Sequence, residues 1–175
     1  MLDLILSQAV NGLVLGFLYV LIATGLSIIF GMLGVVNFAH GAFFALGAYF
    51  ALTLQAEFGW YAVVFAPVLV GLVGMLVEWL LIRRLYGKEP LLGLILTFAL
   101  SLLMISLMRL VWGAGGLPFS PPPIFSGFIE YGPILLTKYR LAVLVATVIL
   151  LVALWAFFKF TPFGRILRAG SRDPE

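Results

Sequence analysis

Three places in this chain group side chains suited to polar or charged chemistry. The first is Asn37-Phe38-Ala39-His40-Gly41, where an amide and the only imidazole stand in a region otherwise suited to lipid. Asn37 is a good cap for a helix starting at Phe38, because its side-chain oxygen can accept a free backbone N–H. Open N–H groups at such an end favour an anion such as a solute carboxylate. Broken helices in transporters place backbone groups at a solute path in this way. The segment reads equally as an ordinary capped turn at the inner interface, with His40 hydrogen-bonded locally. The second place is Thr97 with Ser101, four apart on one helix face. These hydroxyls can line a path or bond to their own helix backbone. The third is the basic stretch around Gly164, Arg165, Arg168 and Ala169, which by charge alone reads as a segment binding anionic lipid headgroups.

Other chemistries are excluded by residue type. With no cysteine and one histidine, the chain has no disulfide, no thiolate nucleophile and no multi-histidine metal centre. It has no Gly-x-x-x-x-Gly-Lys-Ser/Thr loop, so ATP hydrolysis would fall to another polypeptide. An intramembrane enzyme would have to pair Ser27, Ser101 or Ser106 with His40. Nothing places these serines beside it or supplies an orienting acid.

The elements that position these residues follow from composition. Hydrophobic residues make up 64%, charged residues 10%, and the mean hydropathy is +1.23. A soluble domain needs about 25% charged residues to cover its surface, so this chain belongs in a bilayer. A span takes roughly 20 apolar residues. The uncharged stretches between Asp3 and Glu57, Glu57 and Glu78, Glu89 and Arg109, and Arg140 and Lys159 predict five helices. They fall near residues 9–30, 38–56, 58–82, 90–112 and 141–158, the first two separated by a break around Gly31, Gly34 and Asn37. None shows the alternation a transmembrane barrel requires. The expected fold is all-α, a polytopic transmembrane helical bundle.

Seven of the ten basic residues lie in two segments, Arg83 to Lys88 and Lys159 to Arg172. Two spans separate these segments, which marks both as cytoplasmic and puts the N-terminus outside and the C-terminus in the cytoplasm. The basic excess, +3 overall, thus reports topology rather than nucleic-acid binding. The first helix lacks the basic flank of a cleavable signal peptide, so it is expected to remain. Residues 113–140 become an external loop, rich in Gly and Pro but too apolar for a free linker, with a short hairpin or turn. Glu78 reads as a structural ion pair with Arg83 and Arg84, and Arg109 as reaching for the outer interface. Gly12 with Gly16, Gly41 with Ala45, and Gly47 with Ala51 offer close helix approach, within one subunit or between two.

The run Gly25-Leu26-Ser27-Ile28-Ile29-Phe30-Gly31-Met32-Leu33-Gly34-Val35-Val36-Asn37-Phe38-Ala39-His40-Gly41, followed by Gly47-Ala48-Tyr49, closely resembles the permeases of bacterial branched-chain amino-acid ABC importers. Glu78, Arg83, Arg84, Pro90-Leu91, Leu94-Ile95-Leu96-Thr97 and Ser101 are similar to the family's third and fourth spans. Thr161, Gly164, Arg165, Arg168-Ala169 and Asp173 resemble the start of its ATPase-docking loop, so residues 161–175 are expected to be cytoplasmic. Family permeases continue past this loop with further spans, and residues 1–175 are therefore expected to be an N-terminal portion of one permease domain.

The resemblance implies a multi-pass protein of the bacterial inner membrane. Its partners would be a second permease subunit, two cytoplasmic ATPase subunits, a periplasmic or extracellular solute-binding protein, and membrane lipid. The chain itself would hold no cofactor, ATP being used by the partner ATPase. On this reading Asn37 to Gly41, Thr97 and Ser101 lie by the solute path, and Gly164, Arg165, Arg168 and Ala169 by the ATPase. Urea and short-amide permeases look similar, and a non-transporting membrane scaffold is the remaining alternative.

Overall fold

The computed structural model describes residues 2–33, 36–131, 134–162 and 164. Among these residues five α-helices carry most of the chain: α1 Leu2–Leu33, α2 His40–Phe58, α3 Ala62–Leu80, α4 Pro90–Trp112 and α5 Lys138–Phe160. Two short strands, β1 Phe128–Tyr131 and β2 Ile134–Thr137, pair antiparallel with Phe128 opposite Thr137. They form the hairpin expected within the Gly- and Pro-rich connection.

Among the described residues, four continuous helical stretches are long and apolar enough to cross a bilayer: Ile5–Gly31, His40–Leu85, Pro90–Trp112 and Lys138–Phe160. The second runs for 46 residues, about twice what one crossing takes. It comprises α2 and α3, of 19 residues each, which pack against each other. A single 3₁₀ turn, Gly59–Tyr61, joins them. Gly59 sits at φ +56°, a backbone region open to glycine and costly for other residues. The count of five helices therefore stands beside four continuous apolar stretches, because the α2–α3 connection has no polar loop to divide them.

The helices form two compact units. One contains α2, α3 and α4. Its core is a seam between α2 and α4, built from Ala39, Ala42 and Leu46 on one side and Leu100, Met104 and Met108 on the other. The buried residues of α4 (Gly93, Thr97, Leu100, Met104, Met108) recur at intervals of three and four, which places them on a single stripe. At the far end of the seam Trp112 packs on Tyr49 and Phe50, and its indole N–H donates to Thr53 Oγ1 at 2.8 Å. Across the α2–α3 contact, a Cβ at Gly47 would meet Val70 Cγ2 at an ordinary 3.5 Å. Positions Gly12, Gly16 and Gly41 instead face open space, so of the predicted close-approach glycines only Gly47 meets a neighbouring helix within its unit.

The other unit contains α1, the hairpin and α5. Thr137 caps α5, its hydroxyl accepting from the Arg140 N–H at 3.4 Å. Large apolar side chains remain exposed along every helix, among them Leu13, Val64, Leu110 and Ile149. In water that surface would be prohibitive; in hydrocarbon it costs nothing.

Candidate functional site

The segment between α1 and α2 is built around Asn37 and Thr97. The Asn37 side-chain oxygen accepts from the Ala39 N–H at 2.9 Å, and its main-chain oxygen accepts from the His40 N–H at 3.1 Å. These bonds close a tight turn over Phe38 and Ala39, and α2 begins at His40, two residues later than expected. The expected cap is thereby corrected: Ala39, not Asn37, holds the cap position, and it makes no side-chain cap bond. Asn37 shapes the turn before the helix rather than the helix end itself, a use of asparagine that competes with capping.

Thr97, 3% exposed, reaches this turn from α4. Its oxygen accepts from the Phe38 N–H at 3.3 Å. Its own hydrogen has three acceptors in range: the carbonyls of Gly93 at 2.9 Å, Leu94 at 3.2 Å and Val36 at 3.4 Å. The hydroxyl thus bonds to its own helix and also ties the α1–α2 connection to α4. The Phe38 ring meets Phe98 edge-on at 6.3 Å, and Ala39 is fully buried beneath the turn. The N–H groups of Phe38, Ala39 and His40 all bond to protein acceptors. The open donors expected to attract an anion are, at these three residues, already occupied.

Around this knot His40 is half-buried in the first turn of α2, Gly41 is exposed, and Ser101 is half-buried one turn along α4 from Thr97. The structure therefore joins Asn37, Phe38, Ala39 and Thr97 directly. Thr97 and Gly93 also line a cavity of about 40 Å³ with Tyr86, Lys88 and Glu89, which gives room for water. No group of three or more His, Cys, Asp or Glu able to hold a metal occurs among the described residues.

Near the inner end of α3, Glu78 accepts from the Tyr86 hydroxyl at 3.0 Å, where an ion pair with Arg83 and Arg84 was expected. Burial, this hydrogen bond and the Glu78 charge push the Tyr86 phenol above its ordinary pKa, against a smaller pull from Arg83. Nothing in the spacing of α3 singled out Tyr86, because its partner is reached through the 3₁₀ turn Ile82–Leu85.

In the tail Gly164 is buried, and its N–H donates to Thr161 Oγ1 at 3.1 Å. A Cβ built there would run into the backbone of Phe158. Glycine at 164 thus has a reason internal to the chain. Arg165, Arg168 and Ala169 lie outside the described residues.

The polypeptide as a whole can be compared with known proteins. The model of a family described as branched-chain amino acid transport system / permease component matches residues 8–175. The chain belongs to this family. Within the branched-chain permeases, the LivH permease protein of the high-affinity branched-chain amino acid transport system of Escherichia coli K12 is 27% identical over 184 residues, covering 96% of this chain and 59% of LivH. The corresponding BraD permease protein of Pseudomonas aeruginosa is 28% identical with the same coverage, 96% and 59%. A probable LivH permease of Methanocaldococcus jannaschii is 30% identical, over 90% of this chain and 52% of that protein. The chain spans 59% of the length of the first two relatives. No solved structure matches it. The family is one of transport permeases, not of enzymes, and with its apolar helices the chain is a multi-pass membrane protein.

Proposed function

We propose that this chain is part of the membrane-spanning permease of an ATP-binding-cassette importer for branched-chain amino acids, with Asn37 to Gly41, Thr97 and Ser101 beside the solute path. The observation that carries the placement is the Thr97 bond to Phe38. A buried hydroxyl joins an irregular backbone segment to a neighbouring helix, and irregular backbone at membrane depth is tolerated where it is buried in protein or lines a water-filled cavity. With the nearby N–H groups occupied, the turn works as a rigid corner of the path rather than as an anion cradle. A second permease subunit completes the path, a solute-binding protein delivers to it, and two ATPase subunits switch it from the cytoplasmic side through Gly164, Arg165, Arg168 and Ala169.

The test is uptake of labelled leucine by the full permease, reconstituted with its binding protein and ATPase. Uptake that needs all three components and is competed by isoleucine and valine is the expected result. Competition by urea or short amides instead would move the substrate within the family. No uptake of any of these, with ATP hydrolysis unresponsive to the binding protein, would leave only a scaffold.

A further inference from the structure

We propose that the cleft between the beginnings of α1 and α5 is a binding site for one anionic phospholipid. The cleft has a volume of about 490 Å³ and is lined by two kinds of side chain. Gln8, Asn11, Tyr139 and Arg140 form its polar part, and Val14, Leu15, Leu18 and Val143 its apolar part. The division runs along the helices. The polar residues lie at or near the starts of the apolar stretches Ile5–Gly31 and Lys138–Phe160, and the apolar ones follow one to two turns further in. At about 1.5 Å per residue, Leu18 lies roughly 10 Å beyond Asn11 along the helix axis.

Arg140 Nη1 donates to Asn11 Oδ1, which holds the guanidinium at the cleft. A guanidinium carries five N–H donors, so this bond leaves others for a ligand. The amide N–H₂ groups of Gln8 and Asn11 add donors of the same kind. None of the lining residues is acidic, so the positive charge is not neutralised from within the lining. A donor-rich cationic rim at the hydrocarbon edge above an apolar trough matches a phosphate headgroup joined to an acyl chain. A free amino acid fits less well. Its carboxylate could take Arg140 and its ammonium the Gln8 side-chain oxygen, but a single short side chain would leave most of the apolar trough, which runs on to Leu18, unfilled.

The permease, purified in neutral detergent, would be examined by native mass spectrometry with added phosphatidylglycerol or phosphatidylcholine. The parent should retain one phosphatidylglycerol in preference to phosphatidylcholine. Arg140→Gln should cut that preference by about tenfold or more, the order of one hydrogen bond to a charged group. Leu15→Trp keeps every charge and fills the trough, so it should expel the lipid. It also keeps the question answerable if Arg140→Gln fails to fold. Equal retention by the parent and Leu15→Trp would overturn the site, as would displacement of the lipid by millimolar leucine, which would make the cleft a solute site.

Discussion

At the residue scale, Thr97 is the side chain on which the most structure converges. Its hydroxyl, where valine would carry a methyl, is the acceptor for the Phe38 N–H at 3.3 Å. Thr97→Val keeps shape and volume but leaves that part-buried N–H without its hydroxyl partner, at a cost of about 1 kcal/mol. Thr97→Ser keeps the acceptor and loses one methyl. Thermal unfolding in detergent should therefore show a larger loss for Thr97→Val than for Thr97→Ser. Equal losses would mean that the methyl, not the hydroxyl, supports the turn. Gly164 shows the converse. Since a Cβ there meets the Phe158 backbone, any larger residue disturbs the chain before a partner is present. Coupling to an ATPase is better probed by exchanging Arg165 and Arg168 for Lys, which keeps charge and removes the bidentate fork.

At the scale of elements, α3 and α4 are joined by a connection that holds its own polar contact, Tyr86 to Glu78. Its pH behaviour is predictable in sign. The folded chain holds the Tyr86 proton more tightly than an unfolded chain does, with a pKa raised above 10.0. The resulting stabilisation is present below the ordinary phenol value and is lost as pH rises through the folded value. Tyr86→Phe should remove this part of the alkaline destabilisation. Glu78→Gln should bring the phenol down toward its ordinary range, because it removes the adjacent negative charge. Carbon-13 NMR of labelled tyrosine against pH reads the titration directly, and a Tyr86 resonance that titrates with exposed tyrosines would contradict it.

At the scale of the whole molecule, the orientation expected from basic residues can be checked one side at a time in this cysteine-free chain. Gly59 and Gly87 have φ of +56° and +75°, so cysteine at either would strain the turn. Tyr61, Lys88 and Ser126 are exposed and suit the purpose better, with Ser171 for the tail. An impermeant thiol reagent applied to sealed cells should label Tyr61→Cys and Ser126→Cys. Lys88→Cys and Ser171→Cys should react only after permeabilisation. Reaction of Lys88→Cys from outside would reverse the assignment.

The amino-acid sequence by itself determined the solvent, the class of fold and the helices. A chain with so few charges cannot coat itself for water, and its uncharged stretches match the thickness of a bilayer. The same residue types marked Asn37 to Gly41 and Thr97 as unusual, since polar groups in an apolar run need a reason. Arg140 and Asn11 belong to the same class of signal: each borders or interrupts a span, yet nothing along the chain says that they meet. Tertiary structure decided the pairings. The Asn37 oxygen could serve a helix start or a turn, and in the folded chain it closes the turn that Thr97 ties down at Phe38. Glu78 had two arginines nearby in sequence and bonded instead to Tyr86, because the 3₁₀ turn carries that ring back toward α3. Hydrophobic patterning is summed along a segment and can be read from sequence. A hydrogen bond needs two atoms placed to within a few tenths of an ångström, and only the packed chain brings such atoms together.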